Sequence, residues 1–248
     1  MKFTRKNAGI GFRALLRQVW HLTFLKHIAA KTLQEAYEYN VCARSSIKTI
    51  PLNDPRIAGK HDVTLQNEAK AGNTSLLEQY LLVSIVKNFS CSTFFEIGTF
   101  DGQTAYTLAK NLPDLHIFTL DLPMEKSIEA ALPISPGERR YIEKPIIGAR
   151  FQGTPESSRI TQLLGDSALF DFAPYCARMD AIFIDGCHDE AYVQSDTEKA
   201  LSLLGKKGIV LWHDYLTYDS VTRVLEELGK TLPLLHIQGT SLVVHMRP

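Results

Sequence analysis

Short apolar runs alternate with helical patterns over most of the chain beyond residue 90. The apolar, β-rich runs are typical of strands buried on both faces, and they lie at 93–97, 116–120, 160–164, 181–184 and 209–212. Between and after them, apolar residues recur at helical spacing over 103–111, 189–204 and 219–229. Regular alternation of strand and helix predicts a parallel sheet with helices packed on its faces.

Two further patterns complete the predicted fold. Ser75 and Glu78 have the spacing of a capping box before an apolar face, which predicts a helix over 75–88. Residues 234–237 and 242–245 flank a polar turn and predict a final β-hairpin. We therefore predict an α/β fold with a Rossmann-like, seven-stranded sheet, mostly parallel with one antiparallel strand. It forms a domain over 74–248, after an N-terminal helical extension and linker over 1–73.

Two segments fit neither the strand nor the helix period. Residues 46–73 are rich in proline, glycine and polar side chains, and we expect a loop-rich connection there. Residues 123–154 contain four prolines and three glycines and form a long irregular insertion. Long insertions in compact domains are often functional. This one is either a lid or acceptor-binding loop, or a simple surface excursion.

The sequence of the N-terminal region predicts a basic amphipathic helix. Its apolar positions are Phe12, Leu16, Val19, Trp20, Phe24 and Ile28, and a neighbouring stripe holds Arg13, Arg17 and His21. Such a helix can contact a membrane surface peripherally or dock a partner. The alternative is an ordinary helix packed on the core or on a second copy of the chain, as in a homodimer.

Composition narrows the class of protein. Lys plus Arg and Asp plus Glu number 27 each in 248 residues, so no strong overall field favours nucleic acid as a partner. No apolar run reaches the roughly 18 to 20 residues of a membrane span, and charges interrupt any signal-peptide pattern. The four cysteines lack close pairing and are expected to be free thiols: Cys42, Cys91, Cys176 and Cys187. We expect a cytoplasmic protein.

A glycine-containing turn is the strongest chemical signal. It reads Glu96-Ile97-Gly98-Thr99-Phe100-Asp101-Gly102 and lies between a predicted strand and a predicted helix. The glycines allow a sharp turn and close ligand approach, and the helix start offers free N–H groups. Its G-x-x-x-G spacing differs from the dinucleotide G-x-G-x-x-G, and Glu96 suits a cationic amino-acid group better than a pyrophosphate.

Asp121 ends the next apolar run, about 20 residues further along. An acid at this place in such folds can accept hydrogen bonds from both ribose hydroxyls. A strand-end aspartate can equally be a helix or turn cap, and the residue alone does not separate the two roles.

With these features the sequence resembles class I S-adenosylmethionine-dependent methyltransferases of the methyltransferase family 24 type. The resemblance covers about residues 74–228. It rests on the motifs SLLEQYLL, FFEIGTFDGQTAYTLA, FTLDLP, LLGDSALFDF, AIFIDGCHDEAYVQSD and GIVLWHDY. It implies S-adenosyl-L-methionine as cofactor, with contacts from Glu96, Gly98, Phe100, Thr104, Asp121, Asp166 and Ser167. Of these, Glu96, Gly98 and Thr104 would meet its methionine part, Asp121 its ribose, and Asp166 and Ser167 its adenine, although Gly-Asp-Ser is also a common turn composition.

The resemblance also implies a reaction centre at the ends of two predicted strands. Open α/β sheets bind ligands beyond the carboxyl ends of their strands, which brings residues 185–188 beside 213–214. In related metal-dependent O-methyltransferases these positions hold a divalent cation, here Asp185, His213 and Asp214, and a base, here His188. Asp185 and His188 are the expected catalytic residues. His213 replaces an acid found in many metal-using relatives. Of the possible metals, magnesium, manganese, iron and zinc, a histidine ligand favours the last three, or no metal at all.

The predicted function is therefore methyl transfer from S-adenosylmethionine to a hydroxyl of a small-molecule or glycan acceptor. A neutral histidine with its ordinary pKa near 6.5 suits removal of the hydroxyl proton. Two other functions are compatible with the α/β pattern: a nicotinamide-dependent oxidoreductase, which the missing G-x-G-x-x-G disfavours, and a non-catalytic cofactor-binding scaffold that docks through its basic N-terminal helix.

Overall fold

The computed structural model describes residues 45–66 and 72–247. Residues from Ser46 onward form one compact unit. The predicted amphipathic helix over 12–28, and with it any membrane or dimer contact it makes, lies outside the described residues, as does Cys42. The three other cysteines are free thiols. Among the described helices, none has the length and apolar character needed to cross a bilayer.

The described residues form eight strands and five α-helices, joined in places by short 3-10 turns. The strands are β1 (Lys48–Ile50), β2 (Thr93–Ile97), β3 (His116–Asp121), β4 (Ile160–Leu164), β5 (Met179–Ile184), β6 (Leu204–Trp212), β7 (Leu235–Ile237) and β8 (Val243–Arg247). The helices are α1 (Leu76–Asn88), α2 (Gln103–Asn111), α3 (Arg139–Ile142), α4 (Glu190–Leu203) and α5 (Asp219–Leu228). In this part of the chain the predicted strands and helices are confirmed to within two residues at their ends, except that β6 begins five residues before the predicted 209.

All eight strands belong to one sheet, in the order β1-β7-β8-β6-β5-β2-β3-β4. Strand β8 runs antiparallel to both of its neighbours, β6 and β7, and every other pairing is parallel. The mixed, Rossmann-like fold class is thus confirmed, with one more strand than the seven expected. The additional strand, β1, lies in the segment predicted to be loop, because three residues with one buried side chain leave no periodic pattern.

The sheet has a hydrophobic layer on each face, because successive side chains of a strand point to opposite sides. Phe94, Phe183 and Leu211 pack on the face covered by α1 and α2. On the other face Phe95 and Trp212 pack under α4 and α5. Both faces of the central strands are therefore closed to water, as their continuous apolar sequences predict.

The capping box at the start of α1 is present as predicted. The Ser75 side chain accepts a hydrogen bond from Glu78 N, and Glu78 Oε2 accepts from Ser75 N at 2.9 Å. The other oxygen of the Glu78 carboxylate accepts from both the backbone N and the hydroxyl of Ser241, at 2.9 and 2.8 Å. Glu78 therefore also fixes the start of α1 to the turn between β7 and β8.

The parallel strands end in register at one edge of the sheet. Gly98 N donates to Leu120 O, Asp185 N donates to Ile97 O, and His213 N donates to Ile184 O, at 2.8 to 3.0 Å. Each of these hydrogen bonds extends the pairing of two strands by one residue beyond the end of a strand. Beyond β2 the chain crosses in one direction to β3 and β4, whereas β5 and β6 lie on the other side. Ligands bind in the crevice at such a switch point.

A substitution at Gly98 tests how closely the ends of β2 and β5 approach each other. Gly98 has a φ of +101°, and a Cβ built on it would lie 2.0 Å from the backbone oxygen of Asp185. We expect Gly98→Ala to lower the free energy of unfolding by more than about 4 kcal/mol, or to prevent folding, because rigid backbone would have to move. Urea unfolding measures the loss.

The matched control is Gly153→Ala, because Gly153 also has a positive φ, +72°, but a Cβ there would meet nothing within 4 Å. It should cost only the backbone strain, about 1–2 kcal/mol. Equal losses in the two variants would show that the approach to Asp185 is not tight.

Candidate active site

A cavity of about 1100 Å³, counting its open mouth, lies over the switch point. The turn after β2 and the ends of β3, β4, β5 and β6 form its floor, and the insertion over 123–154 contributes one wall. The predicted site residues that line it are Gly98, Phe100, Asp121, Asp166, Ser167, Asp185, His188, His213 and Asp214. The fold thus brings nine of the predicted site residues to one cavity.

Two predicted cofactor contacts lie elsewhere. Glu96 and Thr104 are buried in β2 and α2, with 1% and 6% of their surface exposed, and neither lines the cavity. Glu96 Oε2 accepts a hydrogen bond from the Thr119 hydroxyl at 2.5 Å. Burial and the carboxylates of Asp185 and Asp121 raise the pKa of Glu96 well above its ordinary value, which favours its neutral form beneath the floor of the cavity.

Asp121 faces the cavity from the end of β3. Its Oδ2 accepts from Phe100 N at 2.6 Å, and its Oδ1 lies 2.8 Å from Lys144 Nζ of the insertion. Burial raises the pKa of Asp121, and the Lys144 ammonium opposes that effect. Lys144 therefore stabilises the ionised carboxylate against the effect of burial.

Asp166, at the end of β4, holds part of the insertion. Its carboxylate accepts from Ala131 N at 2.7 Å, from Ala168 N at 2.9 Å and from the Tyr192 hydroxyl at 3.1 Å. Nearby, Ser135 N of the insertion donates to Asp189 at 2.7 Å. Two backbone N–H groups of the insertion thus donate hydrogen bonds to acidic side chains of the core. One acid, Asp166, follows β4, and the other, Asp189, precedes α4.

His188 lies between two carboxylates. Its Nδ1 is 2.8 Å from Glu138 Oε2 of the insertion, and its Nε2 is 2.8 Å from Asp214 Oδ2. Burial alone would lower the pKa of His188, but hydrogen bonds and charge from Asp214 and Glu138 outweigh it and raise the pKa to about 10. With both carboxylates in place the raised pKa favours the imidazolium cation, in which both ring nitrogens carry a proton, whereas the sequence suggested a neutral histidine.

Three polar side chains converge at the ends of β5 and β6. His213 Nδ1 lies 3.1 Å from Asp185 Oδ1 and 3.0 Å from Asp214 Oδ2, and ligand atoms of all three residues lie within 4.8 Å of one another. Neither ring nitrogen of His213 makes a hydrogen bond of good geometry within the described part of the chain. Two ligand atoms bound at right angles, each about 2.1 Å from one cation, would be about 3 Å apart. The spacing therefore fits a divalent cation.

Backbone strain marks the end of β6. Asp214 has a φ of +64° and Leu216 a φ of +68°, in the left-handed region that residues other than glycine seldom adopt. Asp214 N donates to the Ser241 hydroxyl at 3.3 Å, in the turn that Glu78 also binds. Strained residues of this kind cluster at functional sites, where surrounding structure holds them in place.

Aromatic side chains close one side of the site. The Tyr218 ring stacks on the His188 ring with centroids 3.8 Å apart and an interplanar angle of 11°. The hydroxyls of Tyr218 and Tyr141 lie 2.9 Å apart, and Arg140 Nη2 donates to both. This arrangement links α3 of the insertion to the segment after β6. It gives the cavity two aromatic lining residues whose hydroxyls are paired with each other.

Sequence reasoning missed several residues of the site. Glu138, Tyr141 and Lys144 lie in the insertion, which has no periodicity to show which side chains point inward. Tyr218 precedes α5, and its aromatic character alone did not distinguish it from a core residue. Glu78 was recognised only as a helix cap, although its Oε2 also lies 3.4 Å from His213 Nε2.

Comparisons with known proteins agree with this architecture. Residues 95–215 match the family described as "Methyltransferase domain", of the family 24 type. The S-adenosylhomocysteine-bound methyltransferase PaMTH1 of Podospora anserina superimposes with a TM-score of 0.53, at 16% identity, over 71% of this chain and 80% of that one. An O-methyltransferase of Bacillus cereus in complex with S-adenosylhomocysteine gives 0.52, at 15% identity, over 72% and 84%.

A methyltransferase of Geobacter sulfurreducens gives a TM-score of 0.50, at 14% identity, over 71% of this chain and 80% of that one. Comparison with curated proteins gave no match. At these identities the structural likeness supports the fold, and the family match covers the strands and turns that build the cavity. Residues 95–215 therefore match a methyltransferase domain, and the fold is the Rossmann-like fold of S-adenosylhomocysteine-binding methyltransferases.

Proposed function

We propose that this methyltransferase transfers the methyl group of S-adenosylmethionine to a hydroxyl of a small-molecule or glycan acceptor, with a divalent cation held by Asp185, His213 and Asp214. The observation that carries the proposal is the convergence of these three residues and His188 at adjacent strand ends, beside a cavity that Gly98, Asp121 and Ser167 also line. Methyl transfer to a hydroxyl needs a group that accepts a proton, because the hydroxyl must lose its proton as its oxygen attacks the methyl carbon.

The floor of the cavity fits the cofactor. Gly98 and Phe100 of the turn after β2 line the cavity, Asp121 offers a carboxylate at the next strand end, and Ser167 follows after β4. In the proposed complex Asp121 accepts the ribose hydroxyls, and Lys144 keeps it ionised for that purpose. When bound, S-adenosylmethionine supplies an electrophilic methyl group on a sulfonium.

The three residues at the ends of β5 and β6 fit a cation because they supply two carboxylates and one imidazole whose nitrogens lack good hydrogen bonds. A nitrogen ligand favours manganese, iron or zinc over magnesium. The cation would supply a positive charge that stabilises the deprotonated acceptor oxygen.

His188 is the proposed base. Glu138 holds one ring nitrogen, so Nε2 is the atom that would take the acceptor proton. Asp214 lies 2.8 Å from Nε2 but also 3.0 Å from His213 Nδ1, so one carboxylate is shared between the two histidines. In the proposed mechanism Asp214 would bind the cation together with His213 during turnover. Without Asp214, His188 loses one of the two carboxylates that raise its pKa, Nε2 releases its proton to solvent, and the neutral nitrogen can then accept the acceptor proton. Tyr218, stacked on His188, fixes the plane of the ring.

Cofactor binding is the first test. Calorimetry with S-adenosylhomocysteine and with NAD should give a dissociation constant for the former and no binding for the latter. Asp121→Asn should weaken binding of S-adenosylhomocysteine at least tenfold, because hydrogen bonds between hydroxyls and a carboxylate contribute about 1.5–3 kcal/mol each. Asp114→Asn, an exposed aspartate remote from the cavity, is the control. Binding of NAD alone would select the oxidoreductase, and no affinity for either compound would exclude both enzymes.

The metal is tested without the acceptor. Protein freed of metal by exhaustive chelation should bind Mn²⁺ in a calorimetric titration, and Asp214→Asn should abolish that binding because it removes one of two anionic ligands. Asp114→Asn should bind Mn²⁺ as the wild type does. With acceptors that release S-adenosylhomocysteine, chelation should stop turnover and Mn²⁺ should restore it. Full turnover after chelation, together with an unaffected Asp214→Asn variant, would eliminate the metal.

Loss of the base should affect turnover and leave cofactor binding intact. His188→Ala should lower kcat by about 10²–10⁴-fold, the usual contribution of a general base. Its affinity for S-adenosylhomocysteine should stay close to that of the wild type. The control is His61→Ala, because His61 is bonded to Asn88 on the surface. Normal turnover of His188→Ala with a competent acceptor would remove His188 from this role.

A further inference from the structure

The two ring nitrogens of His213 have different surroundings. Nδ1 lies 3.1 Å from Asp185 Oδ1 and 3.0 Å from Asp214 Oδ2, whereas Nε2 lies 3.4 Å from Glu78 Oε2. Neither nitrogen makes a hydrogen bond of good geometry within the part of the chain that the structure describes, although the side chain is only 10% exposed. Buried polar atoms are normally hydrogen-bonded, so this ring lacks the partners that its burial requires.

Glu78 lies on the other side of the ring from the proposed cation. The group of possible metal ligands, whose atoms lie within 4.8 Å of one another, consists of Asp185, His213 and Asp214 among the described residues, and Glu78 does not belong to it. In a histidine, the nitrogen that binds a metal is set by the hydrogen bond that the other nitrogen makes. Glu78 is the carboxylate that Nε2 faces, and Nδ1 faces the two aspartates.

The carboxylate of Glu78 is held in place by hydrogen bonds to both of its oxygens. Oε2 accepts from the backbone N and the hydroxyl of Ser75, at 2.9 and 2.7 Å. Oε1 accepts from the backbone N and the hydroxyl of Ser241, at 2.9 and 2.8 Å. These four bonds come from the start of α1 and from the turn between β7 and β8. The position of Oε2 is therefore fixed by the fold itself.

We infer that Glu78 is a positioning residue: it accepts a hydrogen bond from Nε2 of His213 and thereby directs Nδ1 toward the cation between Asp185 and Asp214. The inference rests on the proposed function, because it requires that cation. The distance of 3.4 Å between Nε2 and Oε2 is longer than an ordinary N–H···O bond, so we expect the contact to shorten when Nδ1 binds the metal. A carboxylate in this position fixes the plane of the ring and makes the bound nitrogen more basic.

One turn holds both Glu78 and a proposed metal ligand. The Ser241 hydroxyl donates to Glu78 Oε1 and accepts from Asp214 N, at 2.8 and 3.3 Å. The start of α1, the turn between β7 and β8 and the end of β6 therefore meet at Glu78. The residue that caps α1 is thus also the residue that contacts the imidazole of the site.

Manganese binding tests the inference without turnover. Metal-free wild type, Glu78→Ala and Glu78→Gln are titrated with Mn²⁺ in a calorimeter. Glu78→Ala should bind about ten- to hundredfold more weakly than the wild type, the usual effect of losing the partner of a metal-binding histidine. Glu78→Gln retains an acceptor oxygen and should lose less. If both variants bind Mn²⁺ as the wild type does, the inference is overturned and the proposed function stands. Equal losses in the two variants would show that Glu78 acts only through its charge, which would also overturn it.

The matched control is Ser75→Ala, which removes the side chain of the helix cap and leaves Glu78 bonded to Ser241. It should lower the Tm, because the cap contributes to stability, but should bind Mn²⁺ within about twofold of the wild type. A loss of Mn²⁺ affinity as large as that of Glu78→Ala would assign the effect to the start of α1 and overturn the inference. If the wild type binds no Mn²⁺, the proposed cation fails first, and the function of Glu78 fails with it.

Nuclear magnetic resonance identifies the bound nitrogen in the wild type, so this test does not depend on whether Glu78→Ala folds. The protein is labelled with ¹⁵N in its histidines and loaded with Zn²⁺, which is diamagnetic. Proton–nitrogen spectra should show the His213 proton on Nε2 and none on Nδ1, and these signals should be absent from His213→Asn. The reverse pattern, with Nε2 bound beside Glu78, would make Glu78 a neighbour of the metal itself and would overturn the inference.

Discussion

The close approach of two strand ends, the turn after β2 and the end of β5, is the constraint on which the site depends. Gly98 lies so near the backbone of Asp185 that no side chain fits between them. This contact places Asp185 beside the floor of the cavity and brings the adjacent end of β6, with His213 and Asp214, to the same edge. A sheet that met less tightly here would separate the proposed metal ligands from the proposed cofactor turn.

Charge is concentrated at this edge of the sheet. Six acids line the cavity: Asp121, Glu138, Asp166, Asp185, Asp196 and Asp214. Lys144 and two histidines are the positive or protonatable partners among the described residues that line it. Buried carboxylates of this density are costly unless they are paired. Such a site stabilises cationic ligands, which agrees with a sulfonium cofactor and a divalent cation.

The fold was largely predictable because its central strands are buried on both faces and leave continuous apolar runs. β1 was not predictable, since its three residues become a strand only by pairing with β7. At the site, Asp121, Asp185, His213 and Asp214 could be found because topology brings strand ends together. Glu138 and Lys144 could not, because an aperiodic insertion gives no sign of which side chains turn inward.

The insertion links the proposed chemistry to the choice of acceptor. Its Lys144 pairs with Asp121 and its Glu138 with His188, so the groups proposed to hold the cofactor and to remove the proton also hold the insertion in place. Any movement of this segment must therefore change both environments together. Its Tyr141, with Tyr218, also lines the cavity. The part of the chain with the least regular sequence thus forms one wall of the proposed acceptor site, which is why the residues define the proposed reaction more sharply than its substrate.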